Sequence, residues 1–408
     1  MSVTDGAQGA KGAQAQWERY RRAGAGEAMP FALVDLDALE HNVRRLVAPL
    51  AGGAGKTLRI ATKSVRCPDL IARLRAAAGP LARGLMTYTA AETAYWAERG
   101  ERDLLLAYPT ATRDDARLLA GANASGAAAA VVIDSAEHLD ALAGAARAQS
   151  TRVPVVLEVD VSYRPVGARL HIGVRRSPLR EVRDVVALAR RAEATEGLAF
   201  RGVMAYEAQI AGLGDGGAGI RLMKRASSAD VVRSRAEVRR GLQEAGLTPQ
   251  LFNGGGTGTL AACAREGSLT EVTAGSGFLD SHLFDHYRGL DLHPAAYFAL
   301  QVVRRPAAGL VTCHGGGYVA SGAAGRDRLP VPALPEGLSL LDREGAGEVQ
   351  TPLRSSSAAR LALGDPVFFR HAKAGELAEH FAEYILVRGE RVEARAPTYR
   401  GLGKCFLG

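Results

Sequence analysis

The chain has 408 residues, 47% hydrophobic and 23% charged, which is enough apolar material to bury a large core and excludes a disordered tail. The formal net charge is +8, but the arginines behind it are scattered and form no long basic block, which excludes nucleic acid as the expected partner. Cys67, Cys263, Cys313 and Cys405 form no CxxC pair, no run reaches about 18 apolar residues, and the polar N-terminus lacks a signal-peptide core, so a soluble, cytoplasmic protein away from the membrane is expected.

In chain order, residues 1–28 read as a frayed N-terminal arm. Nine short apolar runs follow: 31–36, 58–62, 84–88, 103–107, 130–134, 154–159, 200–206, 250–253 and 271–274. Amphipathic helices lie between them. One is expected over Asp37–Leu50, with Leu39, Val43, Leu46 and Leu50 on one face. Another opens at Cys67–Pro68–Asp69, where Pro suits the first helical position, and Ser135 is placed to cap a third. Repeated strand–helix units of this length predict an α/β fold, a (β/α)8 TIM barrel over residues 29–288. Nine candidates are one too many, so the first or the last is expected to serve the rim or the second domain. From about residue 290 helical periodicity stops and Pro and Gly punctuate short apolar segments, which predicts a C-terminal antiparallel β domain over 289–408.

The chain holds six lysines: Lys11, Lys56, Lys63, Lys224, Lys373 and Lys404. Lys63 follows Arg-Ile-Ala-Thr at the C-terminal end of a strand, the face on which a barrel builds its active site. A lysine there can act as an amine nucleophile and form a Schiff base with a carbonyl, or simply extend to solvent. The run Asn253–Gly254–Gly255–Gly256–Thr257–Gly258–Thr259 lies between a strand and a helix, where backbone N–H groups and hydroxyls can hold a phosphate; a plain glycine-rich turn is the alternative. Gly275 and Ser276 offer a second cradle at the next strand end. A carbonyl-seeking lysine beside a phosphate cup describes pyridoxal 5′-phosphate (PLP).

The segments PFALVDLDALEHN, IATKSVRCPDL, NGGGTGT and EVTAGSGFLD resemble the fold-type III PLP enzymes, the alanine racemase-like barrel group, and the resemblance runs from about residue 28 to the C-terminus. Within that group the chain is similar to D-threonine aldolase and D-serine dehydratase. It is most similar to the bacterial amino acid deaminase/aldolase proteins, through SYRP, RLHIGVRRSP, MAYEAQIAG, EGAGEVQTPL, RHAKAGEL and PTYRG. The resemblance implies that Lys63 is the Schiff-base lysine and that Gly255, Gly256, Thr257, Gly275 and Ser276 bind the cofactor phosphate. An aromatic residue common after Gly-Ser is replaced by Gly277. His171, with Arg169 just before it, stands where relatives place an arginine on the pyridine nitrogen, and a second-sphere histidine is the alternative. Tyr206 and Gln209 are implied to face the cofactor and substrate, with a buried Tyr206–Glu207 pair as the other possibility. Arg169 is a further substrate-binding candidate, and His282, His286, Tyr287 and Arg288 are placed to close the barrel mouth.

Relatives hold a divalent metal through a His-x-Asp or His-x-Cys pair near the C-terminus. Here His371 is kept and Lys373 replaces the second ligand, and an ammonium has no lone pair to offer. The expectation is a metal-free site in which the charge of Lys373 stands in for the ion and His371 acts as acid or base; the alternative recruits Glu376, Glu379 or His380 to His371 as metal ligands. The function implied is a PLP-dependent lyase that splits Cα–Cβ of a β-hydroxy-D-amino acid, or joins it in reverse. A D-serine dehydratase-type deaminase, a racemase using Tyr318, Tyr384 or Tyr399 as second base, and a non-catalytic PLP-binding protein are the rivals. A homodimer is implied by the resemblance alone.

Overall fold

A computed structural model describes residues 3–52, 55–354 and 360–407. Its centre is a closed barrel of eight parallel strands: β2 Thr57–Ala61, β3 Ala82–Thr87, β4 Asp103–Leu106, β5 Ala128–Ile133, β6 Val153–Glu158, β7 Leu198–Met204, β8 Leu251–Gly254 and β9 Glu271–Ala274. Their near-continuous apolar runs suit strands covered on both faces, with side chains filling the inside and helices the outside. The ninth candidate, β1 (Phe31–Asp35), lies within the span expected for the barrel but takes no part in it.

Instead β1 sits inside a second, nine-stranded sheet, antiparallel to β10 (Ala296–Ala307) and parallel to β16 (Glu383–Arg388). The rest of that sheet is β11 Leu310–His314, β12 Val331–Leu334, β13 Ser339–Leu340, β14 Gln350–Arg354, β15 Pro366–Arg370 and β17 Arg391–Pro397. All five residues of β1 are buried, which only a central strand with neighbours on both edges can satisfy. The second domain is therefore built from both ends of the chain, and the barrel is set between them.

The N-terminal arm is not frayed. Val3–Ala23 is a helix that lays Trp17 and Tyr20, one turn apart, on the second sheet. Trp17 Nε1–H donates to Pro366 O (2.9 Å), Tyr20 O–H donates to Asp35 (2.6 Å), and the Tyr20 ring meets Tyr297 and Phe368 at 5.2 and 5.5 Å between centroids. Local polarity hid this helix, because its burial rests on two aromatic anchors whose partners lie far along the chain. The helix expected over 37–50 runs Leu36–Val47 and passes into a 3-10 turn where Pro49 withdraws an N–H. The helix at Pro68 begins as expected. Ser135 occupies the cap position of Ala136–Ala148, but its hydroxyl meets His138 Nδ1 (3.3 Å) and not the helix N–H groups. Among the described residues no helix is long and apolar enough to cross a membrane.

Two contacts lock the second domain over the C-terminal end of the barrel. A Cβ added to Gly375 would lie 1.8 Å from Lys63 O, so the 374–376 segment presses on the turn after β2 at a distance only glycine permits. Beside it, Tyr399 N–H donates to Arg66 O (2.8 Å) and Tyr399 O–H donates to Glu92 (2.6 Å), while Trp96 Nε1–H donates to the Tyr399 oxygen (2.8 Å).

Burial pushes the Glu92 carboxyl up to about 7, against the hydrogen bonds that favour its charge. Glu158 is pushed to about 7 and Asp280 to about 6, both chiefly by burial. An acid whose folded pKa is raised contributes stability that is complete below the unfolded value and is lost as pH rises through the folded one. The melting temperature is accordingly expected to fall from pH 5 to pH 8. Glu92 alone contributes roughly 3 kcal/mol of that slope. Thermal unfolding of Glu92→Gln should show a flatter profile; an unchanged slope would count against the assignment.

Candidate active site

At the junction of the two domains, on the C-terminal face of the barrel, lies a cavity of about 670 Å³. Strand ends supply one side. Lys63 sits in the 3-10 turn Thr62–Ser64 directly after β2, and its Nζ donates to the Tyr108 hydroxyl beyond β4 (2.7 Å). The loops after β8 and β9 bring Gly255, Gly256, Thr257, Gly275 and Ser276 to the wall.

These two loops are built against each other. Gly277 N–H donates to Thr257 Oγ1 (3.0 Å), and a Cβ at 277 would lie 2.5 Å from Thr257 Cγ2, which explains glycine where relatives carry an aromatic residue. Ser64 and Ser276 share a hydrogen bond between hydroxyls (3.1 Å). The N–H groups of Gly255 and Gly256 are spent inside the loop, on Glu207 (3.2 Å) and Thr259 Oγ1 (3.1 Å). Those of Thr257 and Ser276 form no hydrogen bond among the described residues, and they are the donors left for an anion.

Beneath the first loop, Glu207 lies in a sealed ionic layer. Arg235 joins Glu207 and Glu266 (2.7 Å to the latter), and Thr259 O–H donates to Glu207 (2.5 Å). Burial opposes the charge of Glu207, but the Arg235 guanidinium and the loop hydrogen bonds hold its carboxyl below the usual range. Arg235→Met should therefore lower unfolding free energy by about 3–5 kcal/mol, because two carboxylates lose their buried counter-charge. Denaturant unfolding reads this directly, and a change below about 1 kcal/mol would show that the layer does not support the loop.

The second domain supplies the other side through Ser321, Asp327, Arg328 and the segment Ala372–Glu376. Lys373 Nζ donates to Ser321 Oγ (2.7 Å) and lies 3.6 Å from Glu376, whose carboxylate accepts from Ser321 N–H (2.8 Å) and O–H (2.5 Å). His371 is buried and does not line the cavity. Its Nδ1 is 2.7 Å from Lys373 O and 3.0 Å from Lys373 N, so the ring is tied to the backbone of the residue that does. Burial pushes the imidazole pKa down, and Nε2 has no partner among the described residues.

Several expected residues are placed elsewhere. Gln209 spends its amide on Val161 O (2.8 Å) and Ser227 (3.0 Å), His171 Nε2 meets Val174 O (3.1 Å), and Arg169 is exposed on a 3-10 turn; none of the three lines the cavity. In the stretch that carries His171 and Arg169, it is Arg176 that reaches the wall, 5.8 Å from the centre of the Tyr206 ring, and it makes no ion pair among the described residues. Tyr206 lines the cavity, its hydroxyl pushed up to about 12 mainly by burial. His286 and Tyr287 reach the mouth, whereas His282 is bonded to Leu329 O (2.9 Å) and lies off the wall.

The alternative metal pair is not assembled as a site. Glu376 is committed to Ser321 and Lys373. Among the described residues the one group of three potential ligands is His41, Asp291 and His293, none of which lines the cavity. There the two imidazoles stack in parallel at 3.9 Å, His41 Nε2 lies 3.0 Å from Asp291 O and Asp291 pairs with Arg45 (3.0 Å), so these groups already have partners of their own. Sequence reasoning missed Tyr108, Arg176, Ser321 and Arg328. Tyr108 was reachable by the same strand-end argument that found Lys63, since it follows the apolar run 103–107. Ser321 and Arg328 lie in a Gly/Ala-rich loop with no periodic signal.

Residues 34–279 match the family described as alanine racemase, N-terminal domain. The 3-hydroxy-D-aspartate aldolase of Paracoccus denitrificans is 28% identical over 258 residues, covering 62% of this chain and 60% of that protein. A D-threonine aldolase from an Arthrobacter species is 27% identical over 256 residues, 62% of this chain and 61% of its own. The chain thus matches about 60% of the length of these curated relatives. Among solved structures, D-threonine aldolase from Filomicrobium marinum superposes with a TM-score of 0.78 at 22% identity, covering 92% of this chain and 95% of that one. D-threo-3-hydroxyaspartate dehydratase from Delftia sp. HT23 gives 0.74 at 20%, covering 91% and 98%. With more than half of its length matched, the chain belongs to the alanine racemase N-terminal domain family, whose enzymes depend on PLP.

Proposed function

We propose that this protein is a PLP-dependent lyase that cleaves the Cα–Cβ bond of a β-hydroxy-D-amino acid. The observation that carries the reading is the juxtaposition of Lys63 from the barrel and Lys373 from the second domain on one cavity, beside two hydroxyl-rich loops. The residues present fit the cofactor: unspent N–H groups at Thr257 and Ser276, with the hydroxyls of Ser64 and Ser276 next to them, suit a phosphate, and the Lys63 amine pairs with no carboxylate among the described residues. Bound there, PLP supplies an aldehyde for amine capture and a ring that withdraws electrons from Cα.

The chain's own groups divide the remaining work. Lys63 provides the amine. Tyr206 and Arg176 form the wall against which a flat ring packs. Lys373, held by Ser321 and Glu376, presents an ammonium to the substrate β-oxygen and stabilises the alkoxide that forms when the hydroxyl proton passes to the Lys63 amine on the same cavity, a charge that the oxygen gives up to the new aldehyde as Cα–Cβ parts; a metal ion gives the same service in metal-holding relatives. His371, expected from sequence as acid or base, lies off the cavity wall with Nδ1 against the backbone of Lys373, which supports a positioning role for it.

The same ammonium could protonate a departing hydroxyl, which is the observation favouring the deaminase reading. Product analysis by NMR separates them: chelator-treated protein with PLP and D-threonine should give glycine and acetaldehyde. Formation of 2-oxobutyrate would establish the deaminase. No product from either D-threonine or 3-hydroxy-D-aspartate would overturn the lyase reading.

A further inference from the structure

We propose that Tyr108 is the positioning residue for Lys63, an assignment that deepens the reading of Lys63 as the amine that meets the cofactor. A lysine side chain is a strongly hydrated charge on a flexible four-carbon stem, and an amine that must meet one carbonyl carbon gains rate from being confined. Here the confinement comes from one group. Lys63 Nζ donates to the Tyr108 oxygen at 2.7 Å and sits 5.5 Å from the centre of its ring. Neither Nζ nor that hydroxyl makes another hydrogen bond among the described residues.

The Tyr108 ring is a rigid support because it packs on the barrel interior with Met86, Leu105 and Ala107. It stands two residues beyond β4, so the barrel itself, and not a surface loop, fixes where the phenol lies. Facing it, the turn that carries Lys63 is held from the other side by the close approach of Gly375 to Lys63 O. Backbone and side chain of Lys63 are thus each fixed by a different domain. The phenol acts through Lys63: it keeps the amine aimed across the cavity, and it holds the nitrogen at the wall so that a small reagent entering from solvent meets it less often.

Tyr108→Phe removes only the hydroxyl and keeps the ring packing, so folding is retained and a melting curve checks it. Two rates on the full-length protein test the proposal. The first is formation of the PLP adduct at Lys63, trapped with borohydride and read by peptide mass spectrometry. The second is acetylation of Lys63 by acetic anhydride without PLP, a small reagent that needs no orientation. In Tyr108→Phe the adduct should form about tenfold more slowly while acetylation rises about threefold. A loss of shape in the site would slow both. Equal acetylation in wild type and variant, or an unchanged adduct rate, overturns the proposal. If wild type gives no adduct at Lys63 while acetylation still rises in the variant, the cofactor reading fails and the hold of Tyr108 on Lys63 stands.

Discussion

Lys63→Ala is expected to lower turnover of a β-hydroxy-D-amino acid by at least about 10³-fold and to abolish borohydride-stable PLP labelling, with an unchanged melting temperature. The separation of function from stability follows from where the side chain goes. Its stem and amine project into the cavity, with one hydrogen bond, to Tyr108, and no ion pair among the described residues, so removing it opens no buried void. The turn that carries it stays in place because Val65 and Arg66 N–H groups bond Thr62 O, at 2.9 Å each, and the Arg66 guanidinium bonds Lys63 O (2.9 Å). Activity can therefore be lost only through the missing amine. Spectroscopy of the PLP-loaded variant and a kcat measurement check this, and a variant that retains both adduct and turnover would sink the assignment.

Lys373→Met should cut kcat by about 10²–10³-fold, the cost of removing one preorganised charge from a site where an oxyanion develops. KM should move far less, because the cation acts on the alkoxide formed before the bond parts and not on the neutral hydroxyl that binds. Methionine keeps the length of the side chain but cannot donate to Ser321, so Ser321 and Glu376 remain bonded to each other while the cavity loses its cation. Exhaustive chelation of the wild type should leave its activity unaltered, since Lys373 brings a cation to the cavity and Glu376 is committed to Ser321. Activity that vanishes with chelator and returns with a divalent cation would show instead that an ion does this work.

How much of this was legible beforehand depends on the range of the contacts involved. The parallel barrel was legible because each strand and helix leaves its own period in a stretch of ten to fifteen residues, roughly the length of one such element. The N-terminal helix was not, since Trp17 and Tyr20 find their burial on Pro366, Asp35 and Phe368, far along the chain. β1 reads like any other apolar strand, and only its partners β10 and β16 assign it to the second sheet. In the stretch 169–176 the resemblance pointed to His171 and Arg169, yet the backbone presents Arg176 to the cavity.

The sequence by itself determined that a lysine and two glycine–hydroxyl loops stand at the ends of barrel strands, because parallel topology sends every such end to one face. It also placed Lys373 two residues after His371, where the resemblance implies a second metal ligand in relatives. Only the tertiary structure decided that Lys373 shares a cavity with Lys63, that Tyr108 bonds that lysine, and that Gln209 and His371 lie off the cavity wall. The physical reason is the same in each case: a side chain's role is set by which partners lie within hydrogen-bond reach, and those partners come from strands and domains whose separation along the chain leaves no periodic trace in it.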